Sequence, residues 1–229
     1  MRRLAPLLPA FLIPLACGPS GGEGGAHRGS SAAERLDEAR SHAARILPDS
    51  VLAEVSGLGY EPPFGDGLCQ HWTYTFFSPQ ESSVLRLTLG PDGLFAPLGE
   101  PEPVRNGFSP PDWDGGFALD SDQVAQLARR AGAGRFFQTG TPVCERYHLC
   151  ALSVENEVRP VWELTYTRHL PEAQLAKLGS DGGYESYTAF FDADDGRPLA
   201  PEDGADRARL FRLTPSLAEE GSPDEGAGR

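Results

Sequence analysis

The stretch that decides the fold is Val161-Trp162-Glu163-Leu164-Thr165-Tyr166, in which bulky side chains alternate with smaller or polar ones. This period of two predicts a β-strand over residues 159–167, with the bulky side chains on one face. The same kind of alternation predicts a strand over residues 184–192, and residues 148–154 are strand-like. Asp194-Asp195-Gly196 is typical of a tight turn. This part of the chain therefore predicts three strands and a closing turn.

A helix is predicted before these strands. Asp120-Ser121-Asp122-Gln123 is typical of a helix start, because its side chains can cap the first backbone amides. An apolar stripe at helical spacing follows, formed by Val124, Leu127, Ala128 and Ala131. Gly132 and Gly134 are expected to end the helix.

The first half of the chain has the same order of elements. Ser31-Ala32-Ala33-Glu34 has the form of a capping box, and an apolar stripe from Leu36 to Leu47 follows until Pro48. Strands are predicted over residues 51–58, 71–78 and 82–89. Pro91-Asp92-Gly93 predicts a turn after the last of them.

The spacing of matching residues supports an internal repeat. Ser31 and Ser121 are 90 residues apart, and so are Trp72 and Trp162. The two Asp-Gly turns are 103 residues apart, so the second copy is predicted to carry an insertion at about residues 169–183. Pro171 at the start of that insertion indicates a short extra helix. A duplicated unit is the better interpretation of this pattern.

The stretch at 161–166 and the later stretch Tyr187-Thr188-Ala189-Phe190-Phe191-Asp192-Ala193-Asp194-Asp195-Gly196-Arg197 together resemble a PepSY-type module. In that family a helix precedes a "W-E-L/V-x-Y/V" strand, and a later strand ends in a "D-A-x-x-G" turn. The resemblance covers residues 120–196, and residues 31–95 through the repeat. It implies an α+β fold, one helix across an antiparallel sheet in each copy, placement outside the cytoplasm, and no catalytic residues. Such modules occur in propeptides that inhibit metalloproteases and in envelope proteins.

The N-terminus predicts export. Arg2 and Arg3 precede an apolar run from Leu4 to Ala16 that is too short, and too rich in proline, to span a bilayer. Leu15-Ala16-Cys17 resembles the lipobox of bacterial lipoproteins, which implies that Cys17 is lipidated and becomes the first mature residue. A cleaved signal with an unrelated cysteine is the alternative. A disordered Gly/Ser-rich tether is predicted over residues 17–30, after a signal peptide over residues 1–16.

Two α+β modules are predicted next, over residues 31–110 and 117–214, followed by a disordered acidic tail over residues 215–229. The formal net charge is −13, and removing Arg2 and Arg3 with the signal makes it −15. Because so acidic a chain is repelled by phosphate backbones, nucleic acid is excluded as a partner.

The three cysteines other than Cys17 are expected to lie in an oxidising compartment. The preferred pairing is a Cys144–Cys150 disulfide around a short loop, with Cys69 buried as a small apolar residue. Either Cys69–Cys144 or Cys69–Cys150 would instead link the two halves, and spacing does not choose among these three pairings.

A metal site is the less favoured interpretation of the same region. Cys69-Gln70-His71 and His148-Leu149-Cys150 are mirror images, and two such pairs would suit Zn²⁺ or a copper ion. No nucleophile elbow, Walker loop, dinucleotide fingerprint or zinc-protease motif is present. The function predicted is therefore a non-catalytic, cofactor-free envelope lipoprotein that binds an envelope or exported protein, such as a protease. The alternative is a metal-binding or hydrolytic enzyme that uses Cys69, His71, His148 and Cys150.

Replacing Cys17 with Ser should release the protein from membranes into the soluble fraction, because the multiple acyl chains of a bacterial lipoprotein are what anchor it. Fractionation of cells that express the wild-type and Cys17→Ser chains measures this. Equal membrane recovery of the two chains would contradict lipidation at Cys17.

Overall fold

The computed structural model describes residues 29–90, 92–104, 117–154, 157–178 and 183–200. The predicted signal peptide, Cys17, the tether up to residue 28 and the predicted acidic tail lie outside these described residues. Within them the fold is α+β, as predicted, and combines helices with antiparallel sheet.

The helices and strands have the following bounds. The helices are α1 (Leu36–Ile46), α2 (Ser121–Ala128), α3 (Gly134–Gln138) and α4 (Glu172–Leu178). The strands are β1 (Val51–Gly59), β2 (His71–Ser78), β3 (Ser83–Leu89), β4 (Phe95–Pro97), β5 (Glu102–Pro103), β6 (Cys144–Val154), β7 (Glu157–His169), β8 (Tyr184–Asp192) and β9 (Pro198–Leu199). β2 and β8 have the predicted bounds, while β6 begins four residues earlier than the predicted strand.

The nine strands of the described residues all belong to one antiparallel sheet. Its order is β4-β3-β2-β1-β6-β7-β8-β9, and β5 pairs with β3 beside β4. β1 and β6 join the two halves of the chain, with Val55 opposite Leu149 and Gly57 opposite Tyr147. The two predicted modules therefore share a sheet, whereas the sequence predicted a separate sheet for each.

Trp72 and Trp162 occupy matching places in the core. Both side chains are fully buried. The indole N–H of Trp72 donates to the carbonyl of Ser30 at 2.8 Å, and that of Trp162 donates to the carbonyl of Leu119 at 2.9 Å. Each acceptor lies just before the helix that covers the same half of the sheet. Each tryptophan therefore fills the core and also holds the chain that leads into its helix, since a buried indole N–H needs a partner.

The start of α1 differs from the prediction. The helix begins at Leu36, and the residues before it form turns. The amide of Ala32 donates to Oγ of Ser121 at 3.0 Å, and that of Ala33 donates to Oδ1 of Asp120 at 2.9 Å. Residues at the start of α2 thus cap amides before α1. Oγ of Ser31 accepts from the Glu34 amide at 3.4 Å, as one half of the predicted capping box requires, but this contact lies in a turn that precedes the helix.

The helix start predicted at residues 120–123 is confirmed, and Asp120 and Gln123 form a capping box there. The predicted end of this helix at Gly132 is confirmed, because Gly132 has a φ of 136° and breaks the helical backbone within residues Arg129–Ala133. Gly134, which was also expected to end the helix, instead begins α3. Because glycine tolerates this conformation, the chain kinks there and continues, which brings Phe136 into the core.

The helices of the described ranges are short. None of them is both long enough and apolar enough to cross a membrane.

Replacing Trp162 with Ala should lower the free energy of unfolding by about 3–5 kcal/mol, because it empties a fully buried site. Trp162→Phe keeps an aromatic ring but removes the N–H that donates to the Leu119 carbonyl, and it should lower the free energy of unfolding by less. Urea denaturation of both variants measures the difference. A loss below about 1 kcal/mol for Trp162→Ala would mean that the site lies at the surface.

Candidate functional site

The sheet has two unlike faces. α1, α2 and α3 pack against the face that carries Trp72 and Trp162, and their buried residues join the main core there. The opposite side of the sheet, the second face, carries two small apolar clusters. Among the described residues, no helix contributes to either cluster.

An ion cluster occupies the middle of the second face. His148 of β6 lies opposite Ser56 of β1 and opposite Glu163 of β7. Its Nε2 contacts Oε1 of Glu54 within hydrogen-bonding distance, and its Nδ1 lies 3.7 Å from Oε2 of Glu163. Arg146 donates to Oε1 of Glu163 at 3.0 Å. Two cationic and two anionic side chains thus connect three adjacent strands.

His148 is held in its charged form. Burial disfavours a charged ring, but interactions with Cys150, Glu163 and Glu54 outweigh it and raise the pKa of His148 to about 11. At neutral pH the ring is therefore an imidazolium, with a proton on each nitrogen. Such a ring has no lone pair to offer a metal ion or to accept a proton from a substrate.

The structure does not bring the four predicted metal ligands together. Cys69 is buried in the main core, while Cys150 belongs to a small cluster of the second face with Leu152 and Val161. His71 lies on β2 and His148 on β6, with β1 between those strands. Within the described residues, no group of three or more His, Cys, Asp or Glu side chains is arranged to hold a metal ion.

The predicted Cys144–Cys150 disulfide is contradicted. Both residues lie on β6, where six residues of extended chain separate the two Cα atoms by roughly 20 Å. A disulfide requires about 4–7 Å. Cys69, Cys144 and Cys150 are all free thiols. Residues 145–149 were expected to form a loop, but they are a strand because β1 and β7 pair with them on either side. Cys69 is buried, as expected.

Glu145 is a buried carboxylate that the sequence analysis missed. It is only 1% exposed and lies on the helix-bearing side of β6. Its Oε2 accepts hydrogen bonds from the Gly65 amide at 2.6 Å and from the Tyr147 hydroxyl at 3.2 Å. Its Oε1 has no partner. The sequence does carry a strand pattern here, because Glu145, Tyr147 and Leu149 alternate with Arg146 and His148.

The two edges of the sheet differ. The outer edge of β3 is covered, because β4 pairs with residues 87–89, β5 pairs with residues 83–84, and the Leu98 amide donates to the carbonyl of Arg86. On the other side, β9 pairs only with Phe190 and Phe191 of β8. Residues 184–189 of β8 have no strand beside them in the described part of the chain.

The hydrogen bonds show which backbone groups of β8 point outward. The amide and carbonyl of Asp192 bond toward the β9 side, to Arg197 and Gly196, while the Gly183 carbonyl bonds inward to Leu170. Because direction alternates along a strand, the even-numbered residues of β8 present their N–H and C=O groups outward. Ser186 and Thr188 are therefore the centre of an uncovered edge.

This edge lacks the usual protection against strand pairing. Residues 184–189 contain no proline, no lysine and no bulge, and their one charge, Glu185, is paired with Arg168 at 2.6 Å. Hydroxyl contacts to β7 hold it in place, from Thr188 to Thr165 at 3.2 Å and from Ser186 to Thr167 at 3.0 Å. The edge is thus preformed, regular and nearly neutral.

No family model, no curated protein and no solved structure matches this chain. The function must therefore be inferred from the surfaces that the chain itself presents. Two stand out in the described residues: the ion cluster on the second face and the outer edge of β8.

Replacing His148 with Gln should destabilise the fold more at pH 6 than at pH 9.5. The pKa of His148 is raised in the folded state, so its stabilisation is fully present below the unfolded value of 6.5 and is lost as the pH rises toward 11. The penalty of the substitution should shrink by at least about 1 kcal/mol over this interval. Urea denaturation at both pH values measures it.

His71→Gln removes an imidazole from the same sheet and is the control for that experiment. A penalty for His148→Gln that is the same at pH 6 and pH 9.5 would show that the ring is not held as an imidazolium.

Proposed function

We propose that the chain is a non-catalytic cell-envelope lipoprotein that binds an extended segment of an envelope or exported protein along the outer edge of β8. One observation carries this proposal. Residues 184–189 present outward N–H and C=O groups at a preformed strand edge that is uncovered within the described residues. A partner strand would pair with those groups and extend the sheet, which is a common mode of peptide recognition.

The edge also suggests what the bound segment looks like. An added strand would lie beside Ser186 and Thr188 on the second face, where hydroxyl groups already pair with those of β7. Small hydroxyl side chains on the partner would continue this row across the sheet. On the helix-bearing face, Tyr187 stacks on Tyr166 and offers an aromatic surface for an apolar partner residue.

We further propose that the sheet consists of two PepSY-like modules related by duplication. Trp72 pairs with Gly57 in the first half, and Trp162 pairs with Leu149 in the second, so Gly57 and Leu149 occupy equivalent positions. By the same alignment Val55 is equivalent to Tyr147. Val55 pairs with Leu149 across the β1–β6 junction, and their equivalents, Tyr147 and Gly57, pair with each other, as a local two-fold axis between Ser56 and His148 requires. The matching bonds from the two indole N–H groups and the matching turns, with φ of 76° at Gly93 and 75° at Gly196, support the same interpretation.

Location and charge support a role in the envelope. The N-terminal signal and Cys17 would attach the chain to a membrane, and the Gly/Ser-rich segment after Cys17 would hold the folded part away from it. A net charge of −13 for the whole chain favours a partner with a basic surface and association that slows as salt is added.

Replacing Thr188 with Pro should abolish partner binding and leave the fold intact, because it removes an outward N–H that no described residue uses. Thr188→Val is the matched control, since it keeps the backbone amide and the branched shape. Capture from envelope extract at low salt compares the three chains. The wild-type and Val chains should recover the same protein, and the Pro chain should recover at least about tenfold less.

Amide exchange of the captured complex locates the contact. Binding should slow exchange at Ser186 and Thr188 more than anywhere else in the sheet. Equal recovery by the Pro chain, or protection confined to another surface, would refute docking at β8.

A further inference from the structure

The connection between β1 and β2 is tied down at several points. The Arg129 side chain donates from Nε to the carbonyl of Gly65 at 2.8 Å and from Nη2 to that of Phe64 at 2.9 Å. Ser121 donates to the carbonyl of Gly67 at 2.7 Å, and Cys69 exchanges two backbone hydrogen bonds with Ser30. Residues 60–69, the strap, are thus fastened to α2, to Arg129 directly after α2 and to the chain before α1.

The strap packs closely against the start of α2 and against the Phe137 ring of α3. A Cβ at Gly67 would lie 2.3 Å from Cα of Asp122, and Gly67 has a φ of 82°. A Cβ at Gly65 would lie 2.7 Å from the ring of Phe137. Only glycine fits at these two positions, so the closed arrangement is well defined.

Glu145 lies under the strap, and only one of its two carboxyl oxygens has hydrogen-bond partners. Oε2 accepts from the Gly65 amide, which is the only strap amide that reaches it, while Oε1 is buried beside Gly59 without a hydrogen-bond partner. A neutral carboxyl tolerates such a place. An ionised one needs partners for both oxygens, and an unpartnered buried charge is strongly unfavourable.

The charged and titratable groups around Glu145 come from every element packed against it. The strap contributes Asp66 and Cys69, the segment between α2 and α3 contributes Arg129, β6 contributes Cys144 and Tyr147, and β7 contributes Tyr166. Burial raises the pKa of Glu145 to about 7, against the lowering effect of the hydrogen bonds from Gly65 and Tyr147. Asp66 raises this pKa further, and Arg129 lowers it.

We propose that the strap is closed over Glu145 while its carboxyl is protonated, and that it opens when the carboxyl ionises. Opening would let water reach Oε1, and the strap is the part of the surroundings that can leave without breaking the sheet. Arg129 does not remove the need for opening. Its guanidinium holds the Phe64 and Gly65 carbonyls and lies 5.2 Å from the Phe137 ring, so a move toward Glu145 would itself release the strap.

The direction of the pH effect follows from linkage. The pKa of Glu145 is higher in the closed state than in an open, hydrated one near the ordinary value of 4.5. The closed strap is therefore most stable below pH 4.5, and its advantage is lost as the pH rises through about 7. Between pH 5 and pH 8 the open population should grow by several tens of fold and then level off.

Hydrogen exchange of the full chain between pH 5 and pH 8, corrected for the intrinsic effect of pH, tests this proposal. Amides of residues 60–69 should lose protection by several tens of fold across the range, while amides of β7 in the same sample should keep theirs. In Glu145→Gln, a neutral side chain of the same shape, the strap should show no such pH dependence.

Asp66→Asn gives a second test that does not require changing Glu145. It keeps an oxygen for the Leu68 amide but removes a negative charge that raises the pKa of Glu145, so the opening should be complete at a lower pH. Strap exchange with the same pH profile in the wild-type and Glu145→Gln chains would overturn the proposal. So would a loss of protection in β7 that parallels the loss in the strap.

Discussion

The pairing of β1 with β6 is the interaction on which the rest of the structure depends. Each strand is the first of its half, and each would otherwise leave a long apolar strand edge in water. Their union places Glu54 beside His148 on one face and brings the strap from the first half over Glu145 of the second half on the other. The ion cluster and the buried carboxylate are both products of this one junction.

A second set of contacts between the two halves lies where α2 begins. Asp120 and Ser121 cap amides that precede α1, and Ser121 also donates to the strap. Ser30, just before these amides, accepts from Trp72 and pairs with Cys69. The two halves therefore share one core, and the start of α2 is hydrogen-bonded both to the chain before α1 and to the strap.

Local patterns in the sequence predicted the strands well and their assembly poorly. Alternation identified β2 and β8 and the buried faces of Trp72 and Trp162, because burial on one side of a sheet leaves a period of two. It failed at residues 145–149, where the buried side chain is a glutamate and the neighbouring cysteines suggested a loop. The joining of β1 to β6, the contact of Asp120 with the Ala33 amide and the second helix after Gly132 could not be predicted, because each depends on residues distant in sequence or on packing in the folded core.

The unequal edges of the sheet have a consequence for how far the protein can assemble. A sheet that is open on both sides can add strands without end and so form filaments, as edge-to-edge aggregation does. Here β4, β5 and the Leu98 amide close the β3 side. Copies of the chain that joined through β8 would therefore stop at a pair, because the described residues offer no second long uncovered strand. On the membrane surface that we propose as its location, where copies of the chain would be concentrated, this one-sided arrangement would allow a partner to bind without the chain forming filaments.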